Sequence, residues 1–345
     1  MVSLPVVFPL DTLLDDRFTE PRAETIAALR ACDGDVVVLG AGGKMGPSLA
    51  AMLARAARHL NDGRRVIAVS RWTDHDAERA LKEMGVVTIS CDLLDRSAVT
   101  QLPDAPNVFF MAGQKFGTSE QPSRTWAMNT LVPAHAAERY ASARIVAFST
   151  GNVYPLVPVS SGGARETDTL GPIGEYAASC VGRERLFEHF SSRNGTRVVL
   201  YRLNYAIDVR YGVLLDLALK VADGIPIPLA MGYVNVIWQG DANRIAIESL
   251  PLAASPPFVV NVTGRETLSV RDLALRFGTR LGRQPTFDGH EGSDAILSNT
   301  SLMDVTFAAP GTSIDEMIAR VATAVERKTP TLGRPTHFET RDGGF

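Results

Sequence analysis

A glycine-rich turn is the first feature of this sequence whose residue types and spacing could do chemistry. Gly40, Gly43 and Gly46 lie in the segment GAGGKMG, directly after the apolar run Val36–Leu39. Glycine permits positive φ angles and lets a bulky anion approach the backbone closely. A helix that begins at Gly46 would attract a phosphate through its unpaired N–H groups and its dipole. The turn therefore predicts that Gly40, Gly43, Lys44, Met45 and Gly46 hold the pyrophosphate of a dinucleotide, the alternative being a turn that serves the fold alone.

The end of the next strand-like run bears on which dinucleotide is bound. Dinucleotide-binding chains commonly carry an acidic residue there, which binds the adenosine ribose. This chain has Ser70 and Arg71 instead, and its next carboxylate is Asp74. Because a hydroxyl and a guanidinium suit a 2′-phosphate, we predict NADP, with NAD as the alternative. Arg71 as a solvated loop side chain is the competing interpretation.

The elements that must position these residues alternate between strand-like and helical segments. Apolar, strand-like runs, among them a late one over 233–238, are separated by helical stretches such as 46–59, 127–142 and 176–191. This alternation predicts an α/β fold, a Rossmann-type doubly wound parallel sheet, with a smaller interleaved C-terminal domain that binds the substrate. The predicted parts are an N-terminal extension over 1–33 with a helix over 21–31 that covers the sheet, a Rossmann domain over 34–204 and 234–262, a substrate domain over 205–233 and 263–328, and an irregular tail over 329–345.

Composition and charge exclude several classes of protein. The 345 residues carry 35 basic and 38 acidic side chains, and no basic run that could track nucleic acid is present. We expect no membrane span, and no signal peptide, since acidic residues follow the start at once. Cys32, Cys91 and Cys180 form no CxxC pair, which favours free thiols in the cytoplasm. The histidines are dispersed, so no metal site is predicted.

Several motifs follow one another in a recognisable order. They are Gly40-x-x-Gly43-x-x-Gly46, then CDLLD over 91–95, MAG over 111–113, WAMNT over 126–130, FSTGNVY over 148–154, NVIWQGD over 235–241 and NVTG over 261–264. From about residue 36 to residue 281 the chain thus resembles the extended short-chain dehydrogenases/reductases, the NAD(P)-dependent sugar epimerase/dehydratase family. The family has His where this chain has Met111, and other motifs are also imperfect.

The resemblance implies the remaining contacts. It adds further cofactor contacts to the glycine turn, Ser70 and Arg71. These contacts are Asp92, Leu93, Met111, Ala112, Gly113, Lys115, Asn129 and Tyr176. On the substrate side it implies Asn152 and Asn204, although the motif around Asn204 is one residue short. Arg210 could bind an anionic group through its guanidinium fork, or could be a solvated loop residue.

The resemblance also implies a catalytic set of a Ser or Thr, a Tyr and a Lys. The hydroxyl falls on Thr150 and the phenol on Tyr176. The segment YAASC over 176–180 resembles Y-x-x-S-K, with Cys180 where the family has Lys. In the family the hydroxyl bonds the substrate oxygen, the phenol transfers a proton, and the ammonium holds the nicotinamide ribose and lowers the pKa of the phenol.

The missing lysine leaves more than one interpretation open. A neutral thiol supplies no positive charge and cannot make three donations to a ribose. Lys44 or Lys115 could substitute for the charge, the chemistry could need little help from a phenolate, or the chain could bind ligands without turnover.

The leading hypothesis is an NAD(P)-dependent oxidoreductase or epimerase/dehydratase for a sugar, nucleotide sugar or other carbonyl or hydroxyl substrate. The alternative is a dinucleotide-binding sensor or pseudoenzyme. The resemblance also implies a homodimer through the helices over 127–142 and 176–191, while the residues themselves leave the oligomeric state open.

Overall fold

A seven-stranded parallel sheet is the centre of the computed structural model, which describes residues 16–118 and 120–344. All strands are numbered in chain order, including the short strands outside this sheet. The strands of the sheet are β1 (Val36–Leu39), β2 (Val66–Ser70), β3 (Val87–Ser90), β4 (Asn107–Phe110), β5 (Arg144–Thr150), β7 (Arg197–Leu203) and β12 (Phe258–Val262). The spatial order is β12-β7-β5-β4-β1-β2-β3. The order reverses between β1 and β4, which is where doubly wound folds bind their ligands. The predicted fold class is confirmed.

Helices cover both faces of this sheet, as a parallel sheet requires. In β1, Val36 and Val38 face one apolar layer, while Val37 and Leu39 face the other. The described helices are Asp16–Thr19, Ala23–Arg30, Gly46–Leu60, His75–Glu83, Arg96–Thr100, Pro122–Trp126, Val132–Arg139, Gly174–Asn194, Val213–Asp223, Gln239–Ser249, Val270–Leu281, Ser301–Thr306 and Ile314–Glu326. None of them is long and apolar enough to cross a membrane.

The N-terminal helix packs as the sequence predicts. Helix Ala23–Arg30 contacts helices Gly46–Leu60 and Gln239–Ser249, and its Leu29 is buried in the layer on that face of the sheet. The Pro21-to-Ala31 segment is therefore a helix that covers the sheet. The first fifteen residues of the predicted extension lie outside the described residues.

A third apolar layer gathers the C-terminal half of the chain. Helices Val213–Asp223, Val270–Leu281 and Ile314–Glu326 pack against one another. The short strands beside them are β6 (Val157–Pro158), β8 (Ala206–Ile207), β9 (Ile227–Pro228), β10 (Tyr233–Val234), β11 (Ile237–Trp238), β13 (Leu268–Ser269), β14 (Phe287–Asp288) and β15 (Asp294–Ala295). The boundary between the two predicted domains stays a prediction.

Two predicted elements differ in the structure. The helix predicted over 127–142 contains a π-helical turn, Ala127–Leu131, in which the N–H of Val132 bonds Ala127 O. Pro133 favours this turn, because it has no N–H for the ordinary bond to Asn129. The strand run predicted over 233–238 is divided into β10 and β11, because β10 pairs antiparallel with β13 whereas β11 pairs parallel with β8. Asn235 lies between them, and its side chain donates to Ser298 O at 2.8 Å.

Candidate functional site

A cavity of about 770 Å³ lies at the carboxyl ends of the sheet strands. Of the predicted site residues, Asn129 and Cys180 are the two that do not line it. All the other predicted site residues line the cavity. They are Gly40, Gly43, Lys44, Met45, Gly46, Ser70, Arg71, Asp92, Leu93, Met111, Ala112, Gly113, Lys115, Thr150, Asn152, Tyr176, Asn204 and Arg210. One continuous space therefore joins the predicted cofactor, catalytic and substrate residues.

The glycine turn at one end of this cavity has the shape of an anion cradle. Gly40 has φ +86°, and a Cβ there would lie 2.6 Å from the backbone nitrogen of Ala112. A Cβ on Gly46 would overlap the carbonyl of Ala41, whereas Gly43 is exposed toward the cavity. Helix Gly46–Leu60 begins without an acidic residue in its first turn. The turn therefore fits a pyrophosphate, which the helix N-terminus would attract.

The end of β2 presents a cation to the cavity, and the next carboxylate along the chain, Asp74, caps a helix. Arg71 is exposed and makes no ion pair within the described part of the chain. Asp74 caps helix His75–Glu83 by accepting the N–H groups of Asp76 and Ala77 at 3.1 and 3.0 Å. Asp92, after β3, accepts the N–H of Leu94 at 3.0 Å. The nearest acid to the predicted adenosine ribose position is thus already engaged in a helix cap.

Two lysines lie along the cavity, and residues from the C-terminal half hold both. Lys44 Nζ donates to Ala206 O at 2.6 Å and lies 4.7 Å from the centre of the Tyr211 ring. Lys115 Nζ donates to Thr336 O at 3.3 Å. Burial lowers the pKa of each lysine to about 8, against nearby carboxylates that raise it. Both side chains are therefore cationic at neutral pH and lose charge above pH 8.

Thr150 and Tyr176 form a hydrogen-bonded pair at the middle of the cavity. Thr150 ends β5, and its Oγ1 also accepts the N–H of Asn152 at 3.2 Å. Tyr176 lies in the first turn of helix Gly174–Asn194 and bonds both Thr150 and Cys180. Burial raises the pKa of the Tyr176 phenol, and Cys180 raises it further, while Arg183 and Thr150 lower it. The phenol is protonated at neutral pH and can donate to a substrate oxygen.

Cys180 lies behind the cavity wall. It is 0% exposed and packs with Val153, Tyr154 and Ala164 in a small apolar cluster. Burial raises the pKa of its thiol. The position that the family fills with an ammonium is therefore occupied here by a neutral, buried group.

Asn129 lies in the π-helical turn and connects three segments. Its Nδ2 donates to Gln114 O at 3.0 Å and to Ser179 Oγ at 2.9 Å, and its Oδ1 accepts the N–H of Gln114 at 2.9 Å. Ser179 in turn donates to Tyr176 O at 2.8 Å. Asn129 thereby joins the loop after β4 to the helix that carries Tyr176, and the predicted contact of Asn129 with the cofactor stays a prediction.

Two of the three predicted substrate residues, Asn204 and Arg210, have protein partners for their side chains. Asn204 Nδ2 donates to Asn235 Oδ1 at 2.8 Å. Arg210 is buried and forms an ion pair with Asp208 at 2.7 Å, so it is not a solvated loop residue. Asn152 is half-buried at the cavity wall. These contacts fix the side chains from behind.

Three residues of the tail also line the cavity, and sequence reasoning missed them. They are Leu332, Arg334 and Thr336. Thr336 donates through its N–H and its hydroxyl to Asp216, at 2.8 and 2.6 Å. Arg334 is exposed and lies 5.3 Å from the centre of the Phe116 ring. The tail has no helix or strand over 329–344, as its glycines and prolines predicted, and for that reason no periodicity could reveal its position.

A buried charged network lies beneath Thr150. Glu184 accepts from Ser149 Oγ at 2.5 Å and from Arg202 Nη2 at 2.7 Å. Arg202 also donates to the Tyr154 hydroxyl at 2.6 Å, which donates to Asn261 Oδ1 at 2.8 Å. This network connects β5, β7 and β12 with the helix of Tyr176 and keeps their ends in register. Among the described residues, no group of three or more His, Cys, Asp and Glu side chains is placed to hold a metal ion.

Comparisons with known proteins agree with this architecture. The chain resembles the solved UDP-glucose 4-epimerase of Thermotoga maritima with 15% identity and a TM-score of 0.68, over 85% of this chain and 99% of that one. The Thermus thermophilus UDP-glucose 4-epimerase, solved as a complex with NAD, gives 21% identity and a TM-score of 0.66, over 85% and 99%. An epimerase of Methanothermobacter thermautotrophicus gives 17% and 0.71, over 90% and 99%.

At these identities the likeness concerns the fold. A comparison with curated protein sequences gave no match. The model of the NAD dependent epimerase/dehydratase family matches residues 36–207, which contain the glycine turn, Thr150 and Tyr176. The chain belongs to the NAD-dependent epimerase/dehydratase family, the extended short-chain dehydrogenases/reductases.

Proposed function

We propose that this protein is an NAD(P)-dependent oxidoreductase or epimerase/dehydratase that acts on a hydroxyl or carbonyl group of a sugar-like substrate, a nucleotide sugar included. The observation that carries this proposal is that the glycine turn and the Thr150–Tyr176 pair line one cavity. The bound nicotinamide supplies the acceptor or donor of hydride. The protein must then bind the reacting carbon beside it and move one proton.

The Thr150–Tyr176 pair provides for that proton. The Thr150 hydroxyl orients the reacting substrate oxygen, and the Tyr176 phenol donates a proton to it or accepts one from it. The network of Glu184 and Arg202 keeps the adjoining strand end in place. The tail closes the substrate side with Thr336, which limits access of water to the reacting atoms.

We propose NADP as the preferred cofactor and NAD as the alternative. Arg71 is exposed at the end of β2 without an ion pair in the described chain, and Ser70 beside it offers a hydroxyl. Asp74 is bound to the N–H groups of its own helix. A 2′-phosphate at this position would therefore meet a guanidinium and a hydroxyl, while the carboxylate of Asp74 is held by the N–H groups of its own helix. The solved relatives named with a dinucleotide carry NAD, so this preference belongs to the present chain.

A second candidate function is a dinucleotide-binding sensor or pseudoenzyme. Cys180 favours it, because this buried thiol stands where the family has its catalytic ammonium. The pKa of the Tyr176 phenol is raised by burial, which opposes the formation of a phenolate. This candidate predicts binding of the cofactor without turnover.

We also propose a homodimer formed by the helices around Trp126 and Tyr176. On this face Trp126 is 38% exposed and Leu131 is 53% exposed. Both side chains lie on one helical stretch that packs against helix Gly174–Asn194. Large apolar side chains exposed close together favour a contact between subunits.

Direct titration with NADP, NADPH, NAD and NADH tests the cofactor assignment. We expect quenching of protein fluorescence by at least one nucleotide, with NADPH bound most tightly. Absence of binding to all four would reject both candidate functions, since each requires the cofactor.

A panel of sugars, nucleotide sugars and other carbonyl compounds then separates the two candidates. We expect turnover by the wild type, and its loss in Tyr176→Phe with the cofactor affinity retained. Tyr233→Phe, which alters a half-buried tyrosine outside the cavity wall, is the matched control. Binding without turnover across the whole panel would favour the sensor.

A further inference from the structure

A third side chain lies on the helix face that carries Tyr176 and Cys180. Arg183 follows Tyr176 by seven residues and Cys180 by three, and this spacing places all three on one face of helix Gly174–Asn194. Arg183 is 6% exposed. A basic residue is therefore buried one turn beyond the position where the family has its lysine.

The guanidinium of Arg183 is held by neutral acceptors. Nη1 donates to Phe148 O at 2.8 Å, and Nη2 donates to Asn129 Oδ1 at 2.7 Å. Nε is buried without a hydrogen-bond partner. The other acids of the same helix stretch are engaged elsewhere, because Glu184 pairs with Arg202 and Glu188 with Arg185. No carboxylate of the described residues comes within ion-pair distance of Arg183.

This arrangement is costly unless the charge is used. A guanidinium stays protonated in proteins, and its burial without a counter-ion is unfavourable. If the side chain served only to join β5 to the π-helical turn, neutral donors such as a glutamine amide would make the same bonds without that cost. A neutral residue could therefore replace the hydrogen bonds of Arg183 but not its positive charge.

The guanidinium reaches the back of the catalytic wall. Its Nη2 contacts Gly113, where any Cβ would collide with it, and Gly113 lines the cavity. Its other acceptor, Phe148 O, lies two residues before Thr150. Arg183 itself does not line the cavity, so it acts on the reacting groups from behind.

We propose that Arg183 is a positioning residue whose buried guanidinium provides a fixed positive charge behind the cavity wall. This charge acts on Tyr176 and replaces that of the lysine which the family has at the position of Cys180. This inference rests on the proposed role of Tyr176 as the proton-transferring group. Arg183 lowers the pKa of the Tyr176 phenol and of the Cys180 thiol, against the effect of their burial.

The other groups around this face do not replace Arg183. Glu184 is neutralised by Arg202, Cys180 is a neutral thiol, and the Thr150 hydroxyl carries no charge. Lys115, from the segment after β4, interacts with Cys180, but its pKa is lowered to about 8 by burial. The charge of Lys115 thus disappears in alkaline solution, whereas that of Arg183 persists.

The test replaces Tyr176 by 3,5-difluorotyrosine, whose phenol is more acidic than that of tyrosine, and follows its titration by ¹⁹F NMR without cofactor. In Arg183→Gln, which removes the charge and keeps amide donors, we expect the pKa of this phenol to rise by on the order of one unit. Arg183→Lys should titrate like the parent protein below pH 10. Identical titration of the parent and Arg183→Gln would overturn the proposal.

A second variant keeps the test decisive if Arg183→Gln does not fold. In Cys180→Lys/Arg183→Met the positive charge moves to the family's position, and we expect the phenol to titrate within half a unit of the parent. A rise on the order of one unit in this double variant would also overturn the proposal. Because these titrations need no cofactor or substrate, their outcome is distinguishable from a failure of the proposed function, which would appear as absence of nucleotide binding or as binding without turnover.

Discussion

Replacing Glu184 by alanine removes the counter-ion of Arg202 beneath Thr150. The Glu184 carboxylate is fully buried, and it accepts from Arg202 at 2.7 Å and from Ser149 Oγ at 2.5 Å. Removing one partner of a buried ion pair costs about 3–5 kcal/mol, because the other charge stays buried and unpaired. The Ser149 hydroxyl loses its acceptor in the same step, which adds about 1 kcal/mol. We therefore expect the free energy of unfolding to fall by about 4–6 kcal/mol.

Urea denaturation followed by tryptophan fluorescence measures this loss. Glu188→Ala is the matched control on the same helix, because its pair with Arg185, at 2.7 Å, is largely exposed and should contribute less than about 1 kcal/mol. Glu184→Met/Arg202→Met removes both charges and should recover most of the stability. A loss in Glu184→Ala no larger than that in Glu188→Ala would refute the argument that this network carries stability at the site.

Four further results are expected. Arg71→Asp should weaken binding of NADPH by roughly 10- to 100-fold, the equivalent of one charge-assisted hydrogen bond, with little change for NADH; equal losses for the two nucleotides contradict a 2′-phosphate contact. Gly46→Ala should abolish binding of every nucleotide in fluorescence titrations, because its Cβ overlaps the preceding turn, and retained affinity would argue against the cradle. The affinity for NADPH should fall as the pH rises from 7 to 9, because the ammonium groups of Lys44 and Lys115 are present below their pKa of about 8 and are lost above it; a Lys44→Met/Lys115→Met variant with the same pH dependence would exclude this cause. Leu131→Glu should convert a dimer to a monomer in light scattering, whereas Leu275→Glu, 44% exposed on another helix, should not.

The local patterns of the sequence predicted the sheet and its glycine turn. The apolar run Val36–Leu39 is followed directly by the glycine turn and by a helix that begins at Gly46. These eleven residues are enough to predict the first βα unit. Helix Gln239–Ser249 was not predicted, because all of its residues are buried and it shows no alternation between an apolar and a polar face. The division of residues 233–238 into two strands depends on their partners, β13 and β8, which are distant in sequence.

The candidate site also contains residues that local sequence patterns predict and residues that only the fold brings together. Thr150 and Tyr176 follow from motifs, but Leu332, Arg334 and Thr336 reach the cavity through an irregular segment that only tertiary contacts position. The sequence indicated Lys44 and Lys115 as cations that could substitute for the missing lysine. A signal for Arg183 was present in its helical spacing from Tyr176, although its lack of a counter-ion could only be seen in three dimensions.

Ribosomal synthesis delivers the two sides of the cavity at different times. The glycine turn, Thr150 and Tyr176 are made first, and every strand of the central sheet precedes residue 263. Thr336 is made later, and only then can it bond Asp216 and accept the ammonium of Lys115. Until residues 331–336 are made, the cavity lacks the part of its wall that Leu332, Arg334 and Thr336 form.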